Sequence, residues 1–174
     1  GELEVKPNYK VNKKECMKAS SKDPSDYDER GRFEKMRKLL LISHGQLANG
    51  FKDTLKLFLG DDHPFAAICA YGEGCPDVDE ELNKFTSGVT EDDDVLICSD
   101  IFGGSVNQKV LPLLNRERTY IIAGMNLAML LQIGTYPQEE PLSDEICRSF
   151  MEQGKEAVVY VNDAMNSEVE EFDE

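Results

Sequence analysis

Lys38-Leu39-Leu40-Leu41-Ile42-Ser43-His44-Gly45-Gln46-Leu47-Ala48 joins an apolar run of strand length to a short polar tip and then to a helical segment. The run is apolar at every position, as in a parallel strand buried on both faces. In residues 46–59, Leu47, Phe51, Leu55 and Phe58 recur at helical spacing. One strand feeding directly into one helix is the first half of a βαβ unit.

Reading outward, the alternation continues. Strands are expected at 65–71, 95–98 and 119–123, and helices at 77–85, 105–114, 126–133 and 143–153. Asp77 is a candidate N-cap with acid after it, Ser143 or Asp144 caps the last helix, and Pro112 should end or bend its own. A further apolar run at 157–161, Ala-Val-Val-Tyr-Val, reads as a fifth strand, at a sheet edge or paired with another subunit. The expected fold class is α/β: a doubly wound, mostly parallel sheet with helices on both faces and right-handed crossovers.

Before this domain, assigned to residues 36–163, residues 1–35 are polar, without a sustained period. They bury too little apolar surface to offset their ordering entropy. They read as a polar extension or leader, and Met36-Arg37-Lys38 resembles a translation start. Residues 164–174 read as an acidic tail. The chain has 174 residues and a formal net charge of -15. That sign argues against a phosphate-backbone partner, so no nucleic acid is expected, and it leaves room for a basic protein partner, since opposite fields speed encounter. The acidic runs Glu91-Asp92-Asp93-Asp94, Glu139-Glu140 and 168–174 are expected to be solvated turns or a frayed end. The five cysteines are odd in number and form no C-x-x-C pair, and Cys69 and Cys98 lie inside apolar runs. Reduced thiols in a cytoplasmic setting are expected. No apolar stretch reaches the roughly 18 residues of a membrane span, and no signal peptide is evident.

Open α/β sheets bind ligands beyond the carboxyl ends of their strands. Those ends hold His44, Glu73, Asp100 with the Gly103-Gly104-Ser105 turn, and Asn126. A neutral imidazole is a competent nucleophile near neutral pH. A carboxylate on one ring N–H fixes the tautomer and leaves the other nitrogen free to attack. Glycines let the backbone approach an anion, and N–H groups at a helix start receive it. Ser105 adds a hydroxyl donor; Asn126 either caps its helix or reaches the same place. Imidazole, carboxylate and anion-receiving turn together point to phosphoryl transfer to nitrogen. No metal and no cofactor is required. Cys98 is expected to be buried, and His63 to be a surface loop residue.

Three segments resemble one family, the mannose-family IIA component of the bacterial sugar phosphotransferase system. They are Ser43-His44-Gly45 with Ala48, Asp100-Ile101-Phe102-Gly103-Gly104-Ser105-Val106-Asn107, and Ala123-Gly124-Met125-Asn126-Leu127-Ala128-Met129-Leu130. The resemblance covers residues 37 to 162. It implies a phosphotransferase in which His44 accepts a phosphoryl group from phospho-HPr and passes it to a IIB component for sugar uptake. It implies that Asp100 orients and stabilises the ring and that Ser105, Gly103, Gly104 and Asn126 lie about the phosphoryl group. It further implies a homodimer exchanging its last strand, and indirect association with membrane IIC and IID components. Where many members have Ser-Pro-Phe-Asn, this chain has Ser105-Val106-Asn107, one residue shorter. It also has Asn126-Leu127-Ala128-Met129 where many have proline before the methionine. Alternatives stay open: a regulatory IIA-like module of a transcription activator, the phosphocarrier subunit of a dihydroxyacetone kinase, a receiver domain phosphorylated on Asp100, or a flavodoxin-type binding module. The sugar is not legible.

Overall fold

The computed structural model describes residues 37–171, with side chains to residue 166. The expectations for residues 1–35, Cys16 among them, and for residues 172–174 lie outside the described residues. The elements are β1 (Arg37–His44), α1 (Leu47–Leu59), β2 (Phe65–Ala70), α2 (Val78–Ser87), β3 (Asp94–Ser99), α3 (Ser105–Val110), β4 (Thr119–Ala123), α4 (Leu127–Thr135), α5 (Asp144–Glu156) and α6 (Val161–Glu171). Pro112 acts where expected: α3 gives way to a 3-10 turn, Leu111–Asn115, with the proline in its first positions. Asp77 caps α2 by accepting from the Glu80 N–H, and Ser143 caps α5 through the Ile146 N–H.

The strands form one sheet in the order β2-β1-β3-β4, and every pair is parallel. Alternate residues of each strand face opposite layers. Leu39, Leu41, Leu96 and Cys98 join the core beneath α1, α4 and α5. Leu40, Ile42, Val95 and Ile97 join a second core that includes Val78 and Leu82 of α2 and Val106 and Val110 of α3. Each buried aliphatic contributes about 1.5–3 kcal/mol, which is why the middles of β1, Leu39–Ile42, and of β3, Val95–Cys98, are apolar at every position.

In α1 the buried face differs from the expected one. Ala48 and Leu55 are buried and Phe51 and Leu59 pack beside them, whereas Leu47 and Phe58 are 48% and 61% exposed. Both stripes have helical period; the direction from which the helix leaves β1 selects between them.

The fifth strand is not formed. The α5 helix ends at Glu156 with Ala157 as its cap, the Val158 N–H bonds to the Lys155 carbonyl, and Val158, Val159, Tyr160 and Val161, the first residue of α6, stand 57–79% exposed. A strand requires a partner edge, and among the described residues no strand pairs with this segment. The outer edge of β4 is likewise unpaired. It borders a groove of about 460 Å3 whose lining includes Tyr120, Ile122, Phe102, Cys147 and Met151. Residues 164–171 of the expected acidic tail lie within helix α6.

The acidic run before β3 is also corrected. Asp93 and Asp94 are buried, not solvated. The Asp93 carboxylate accepts from the Thr90 N–H at 2.7 Å. Asp94 accepts from Arg118 at 2.8 and 2.9 Å and from the Leu142 N–H at 2.9 Å. Burial pushes the Asp94 carboxyl above the usual range; the Leu142 N–H and nearby arginines oppose that shift. Arg37 fastens the loop before α5 through the carbonyls of Tyr136, Pro137 and Glu140. This network closes the end of the sheet remote from His44. Asp94→Ala leaves Arg118 and a buried N–H without their acceptor, and a loss of about 3 kcal/mol in urea denaturation is expected; a loss below about 0.5 kcal/mol contradicts this account.

Candidate functional site

From β1 the chain passes outward to β2, then returns to the other side of β1 as β3. Strands β1 and β3 are therefore neighbours at the point where strand order reverses, the place at which doubly wound sheets open a crevice. Ile42 is in register with Ser99. That register sets His44, the last residue of β1, against Asp100, the first residue after β3.

The contact is specific. Asp100 Oδ2 accepts from the His44 backbone N–H at 2.9 Å and lies 2.8 Å from His44 Nδ1. Asp100 Oδ1 accepts from the Ile101 N–H at 2.9 Å. Burial acts to raise the Asp100 carboxyl, but the His44 backbone and ring bonds outweigh it and hold the group below its ordinary value. An ionised carboxylate only accepts hydrogen bonds, so Nδ1 carries the proton. In the neutral ring Nε2 then bears the lone pair, and it lies 3.1 Å from Ser105 Oγ. The His44 side chain is 41% exposed, whereas that of Asp100 is 12% exposed. One face of the carboxylate is thus committed to the protein and one nitrogen of the ring is open to solvent.

The turns around this pair are shaped for close approach. Gly45 has φ +55, turning the chain from β1 into α1, and its N–H bonds to the Ala70 carbonyl at 2.7 Å. Ser43, fully buried, accepts from the Ala48 N–H at 2.7 Å and so ties the first turn of α1 to β1. Gly103 has φ +75. At Gly104 an added Cβ would stand 3.2 Å from His44 Cε1 and 3.0 Å from Ile101 Cγ2; glycine is what permits the α3 turn to lie against the ring. Ser105 opens α3, so its hydroxyl and the N–H groups of that first turn face the same space.

His44, Asp100, Ser105, Gly103 and Gly104 are brought together. Asn126 is not. Its Oδ1 accepts from the Met129 N–H at 3.0 Å and its Nδ2 donates to the Gly154 carbonyl at 2.8 Å. Of the two roles open to it, capping is the one it takes: it joins α4 to α5, and both polar atoms are spent there. His63 is half-buried, with Nδ1 accepting from the Phe65 N–H, in place of the surface position expected. Cys98 is buried as expected; burial pushes its thiol well above the ordinary range, and that of Cys147 up to about 12. Glu73 is exposed on the loop after β2.

Tyr71 escaped the sequence reading. It follows β2 with φ +60, unusual for a bulky residue, and its ring centroid is 5.8 Å from that of His44. With Leu47, Ile101 and Phe102 it leaves apolar surface exposed on the segments that border the histidine. The only sequence signal was its position at a strand end.

The EIIA-man family, described as the PTS system fructose IIA component, matches residues 38–150. The chain belongs to this family. It is 25% identical over 111 residues to the PTS system fructose-specific EIIA component of Bacillus subtilis, an alignment covering 63% of this chain and 76% of that protein. It is 26% identical over 122 residues to the mannose-specific EIIAB component of Escherichia coli, covering 69% of this chain and 38% of that longer protein. The crystal structure of phosphotransferase system component EIIA from Streptococcus agalactiae superposes with a TM-score of 0.64 at 20% identity, over 73% of this chain and 98% of that one. That likeness shows the fold of a IIA component. Among the described residues no helix of this IIA component is long and apolar enough to cross a membrane.

Proposed function

We propose that this IIA component carries a phosphoryl group on His44 Nε2, taking it from phospho-HPr and giving it to a IIB component during sugar uptake. The observation that supports this reading is the pair of bonds on the ring: Asp100 on Nδ1 and only a hydroxyl, Ser105 Oγ, on Nε2. In the forward step the Nε2 lone pair bonds to phosphorus as the donor's phosphorus–nitrogen bond breaks, returning the electron pair to the donor imidazole. His44 becomes positively charged, with Nδ1–H still bonded to the Asp100 carboxylate. That fixed negative charge stabilises the ring as the charge develops. The transferring group is loose and spreads charge over its equatorial oxygens, which Ser105 and the turn at Gly103–Gly104 are placed to meet. In the onward step the acceptor's nucleophile attacks that same phosphorus, the Nε2–phosphorus bond breaks, and its electron pair returns to the His44 ring, which becomes neutral again. The residues of the domain from 36 to 163 suffice for this chemistry, and buried, unpaired Cys69, Cys98 and Cys147 suit a cytoplasmic setting.

The test is phosphorylation of the full chain by phosphoenolpyruvate, enzyme I and HPr, read by intact mass. One phosphoryl group per chain is expected, lost in acid and retained in base. A label that is lost in base and survives His44→Ala would overturn the assignment and point to Asp100.

The homodimer belongs to the same proposal. It rests on the unpaired outer edge of β4 and the exposed Val158–Val161 side chains, which are two halves of one strand pairing. Sedimentation of the chain ending at residue 156 is expected to show a monomer, and of the full chain a dimer. A full chain sedimenting as a monomer at micromolar concentration removes the dimer from the proposal.

A further inference from the structure

Asn107 is 3% exposed and Ser99 is fully buried, and they meet just beneath the His44 site. Asn107 Nδ2 donates to Ser99 Oγ at 3.2 Å. Its Oδ1 faces the Gly103 N–H at 3.4 Å, at the long end of hydrogen bonding. The orientation of the amide follows from chemistry: a backbone N–H can only donate, so the oxygen must face Gly103, leaving the NH2 group for the hydroxyl. Ser99 is itself anchored, since its carbonyl accepts from the N–H groups of Gly124 and Met125, both at 3.0 Å. Gln108 holds the same turn from outside through the Gly103 carbonyl at 3.3 Å.

A polar side chain this deeply buried is costly unless it is used. Asn107 is the third residue of α3 and reaches back past the N-cap, Gly104, to Gly103. Gly103 has φ +75 and so takes little guidance from local sterics. The two residues that follow Gly103 are the ones that face His44: Gly104 packs against Cε1, and Ser105 bonds Nε2. The end of β3 thus sets the height of the turn through Ser99, Asn107 and Gly103, as it sets the imidazole through Asp100.

We propose that Asn107, oriented by Ser99, is a positioning residue for phosphoryl transfer: it holds the Gly103–Ser105 turn at the distance from His44 Nε2 that the transferring group requires. The inference rests on the phosphocarrier reading of His44 given above. Asn107 is buried and offers almost no surface for a partner to touch, so its removal is expected to affect the transfer step and not the docking of the donor. Misplacement of a catalytic group by about 1 Å costs up to about 100-fold in rate.

The experiment uses the full chain carrying Asn107→Ala, Ser99→Ala or Ser105→Ala, with folding verified by circular dichroism. Single-turnover transfer from phospho-HPr is measured across donor concentrations. Asn107→Ala is expected to lower the saturating rate about 10–100-fold while the half-saturating donor concentration stays within twofold of wild type. In the unphosphorylated protein the 15N resonance of His44 Nε2 is expected to move toward that of Ser105→Ala, a change that a purely stabilising helix cap would not produce. Ser99→Ala, which deletes only the hydroxyl, shifts both readouts in the same direction, with about a fivefold loss of rate; it carries the test where Asn107→Ala fails to fold. A folded Asn107→Ala protein with the wild-type saturating rate and an unmoved Nε2 resonance overturns the proposal, as does a loss seen only in half-saturation. Should the wild-type chain take no label, the phosphocarrier reading falls, while the resonance comparison still decides whether Asn107 positions the turn.

Discussion

His44→Ala is expected to abolish phosphorylation by the phosphoenolpyruvate-driven donors while leaving the fold intact. The side chain is 41% exposed and packs into neither core, so its removal leaves no internal cavity. Its backbone N–H still bonds to Asp100 Oδ2, because that bond belongs to the main chain. Thermal unfolding should therefore move by only a few degrees, corresponding to about 1 kcal/mol. The label should vanish entirely: Ser105, the other nucleophile at the site, has only a serine hydroxyl without a base once the imidazole is gone. Intact mass after incubation with the donor proteins decides the matter, and a normal phosphoryl increment on the variant would show that some other atom accepts the group. His44→Gln, which restores side-chain volume and a polar tip, should be equally unlabelled, separating lost nucleophile from lost packing.

Asp100→Asn is the second large effect. The carboxylate accepts on both oxygens: Oδ1 from the Ile101 N–H and Oδ2 from the His44 N–H and the ring. All three partners are donors. An amide has one accepting end, so whichever way it is turned its NH2 group opposes a backbone N–H. With the NH2 group toward His44 the ring tautomer reverses, the proton moves to Nε2, and the nucleophile is lost. With the NH2 group toward Ile101 the tautomer survives but the ring loses its countercharge. A fall of about 100- to 10,000-fold in the transfer rate is expected, by analogy with a histidine held in the wrong tautomer. Rapid-quench transfer from phospho-HPr measures it; a rate within threefold of wild type would remove Asp100 from the mechanism. Stability should carry the same signature. Because the native state holds this carboxyl below its unfolded value, the stabilisation is complete above the unfolded pKa of about 4 and is lost as pH falls through the depressed native value. Asp100→Asn should lack that part of the acid dependence, which urea midpoints taken between about pH 5 and the acid transition would reveal.

These two predictions depend on neighbours that are distant in sequence. His44 and Asp100 are legible separately, each as a polar residue ending an apolar run. Their contact follows from β1 pairing with β3 and not from adjacency in the chain, as the register Ile42–Ser99 records. Asn126 shows the converse. Its position at a strand end matched those of the site residues, yet α5 passes close enough for the Gly154 carbonyl to claim its amide. Asp93 and Asp94 looked solvated because a run of acid usually is; Arg118 and the Leu142 N–H make burial of Asp94 tolerable, and neither is adjacent in sequence.

Near-neighbour pattern by itself determined the alternation of strands and helices, the caps at Asp77 and Ser143, the break at Pro112, and the placement of His44, Asp100 and Ser105 at element ends. Such features arise from periodicity and local sterics, which act over a few residues. Tertiary structure alone decided the order β2-β1-β3-β4, the face that α1 buries, the tautomer of His44, the use of Asn107 and Asn126, and the absence of a strand at 157–161 in the single chain. Each of those depends on which distant group supplies the other half of a hydrogen bond or an apolar contact, and only the packed chain brings that group within reach.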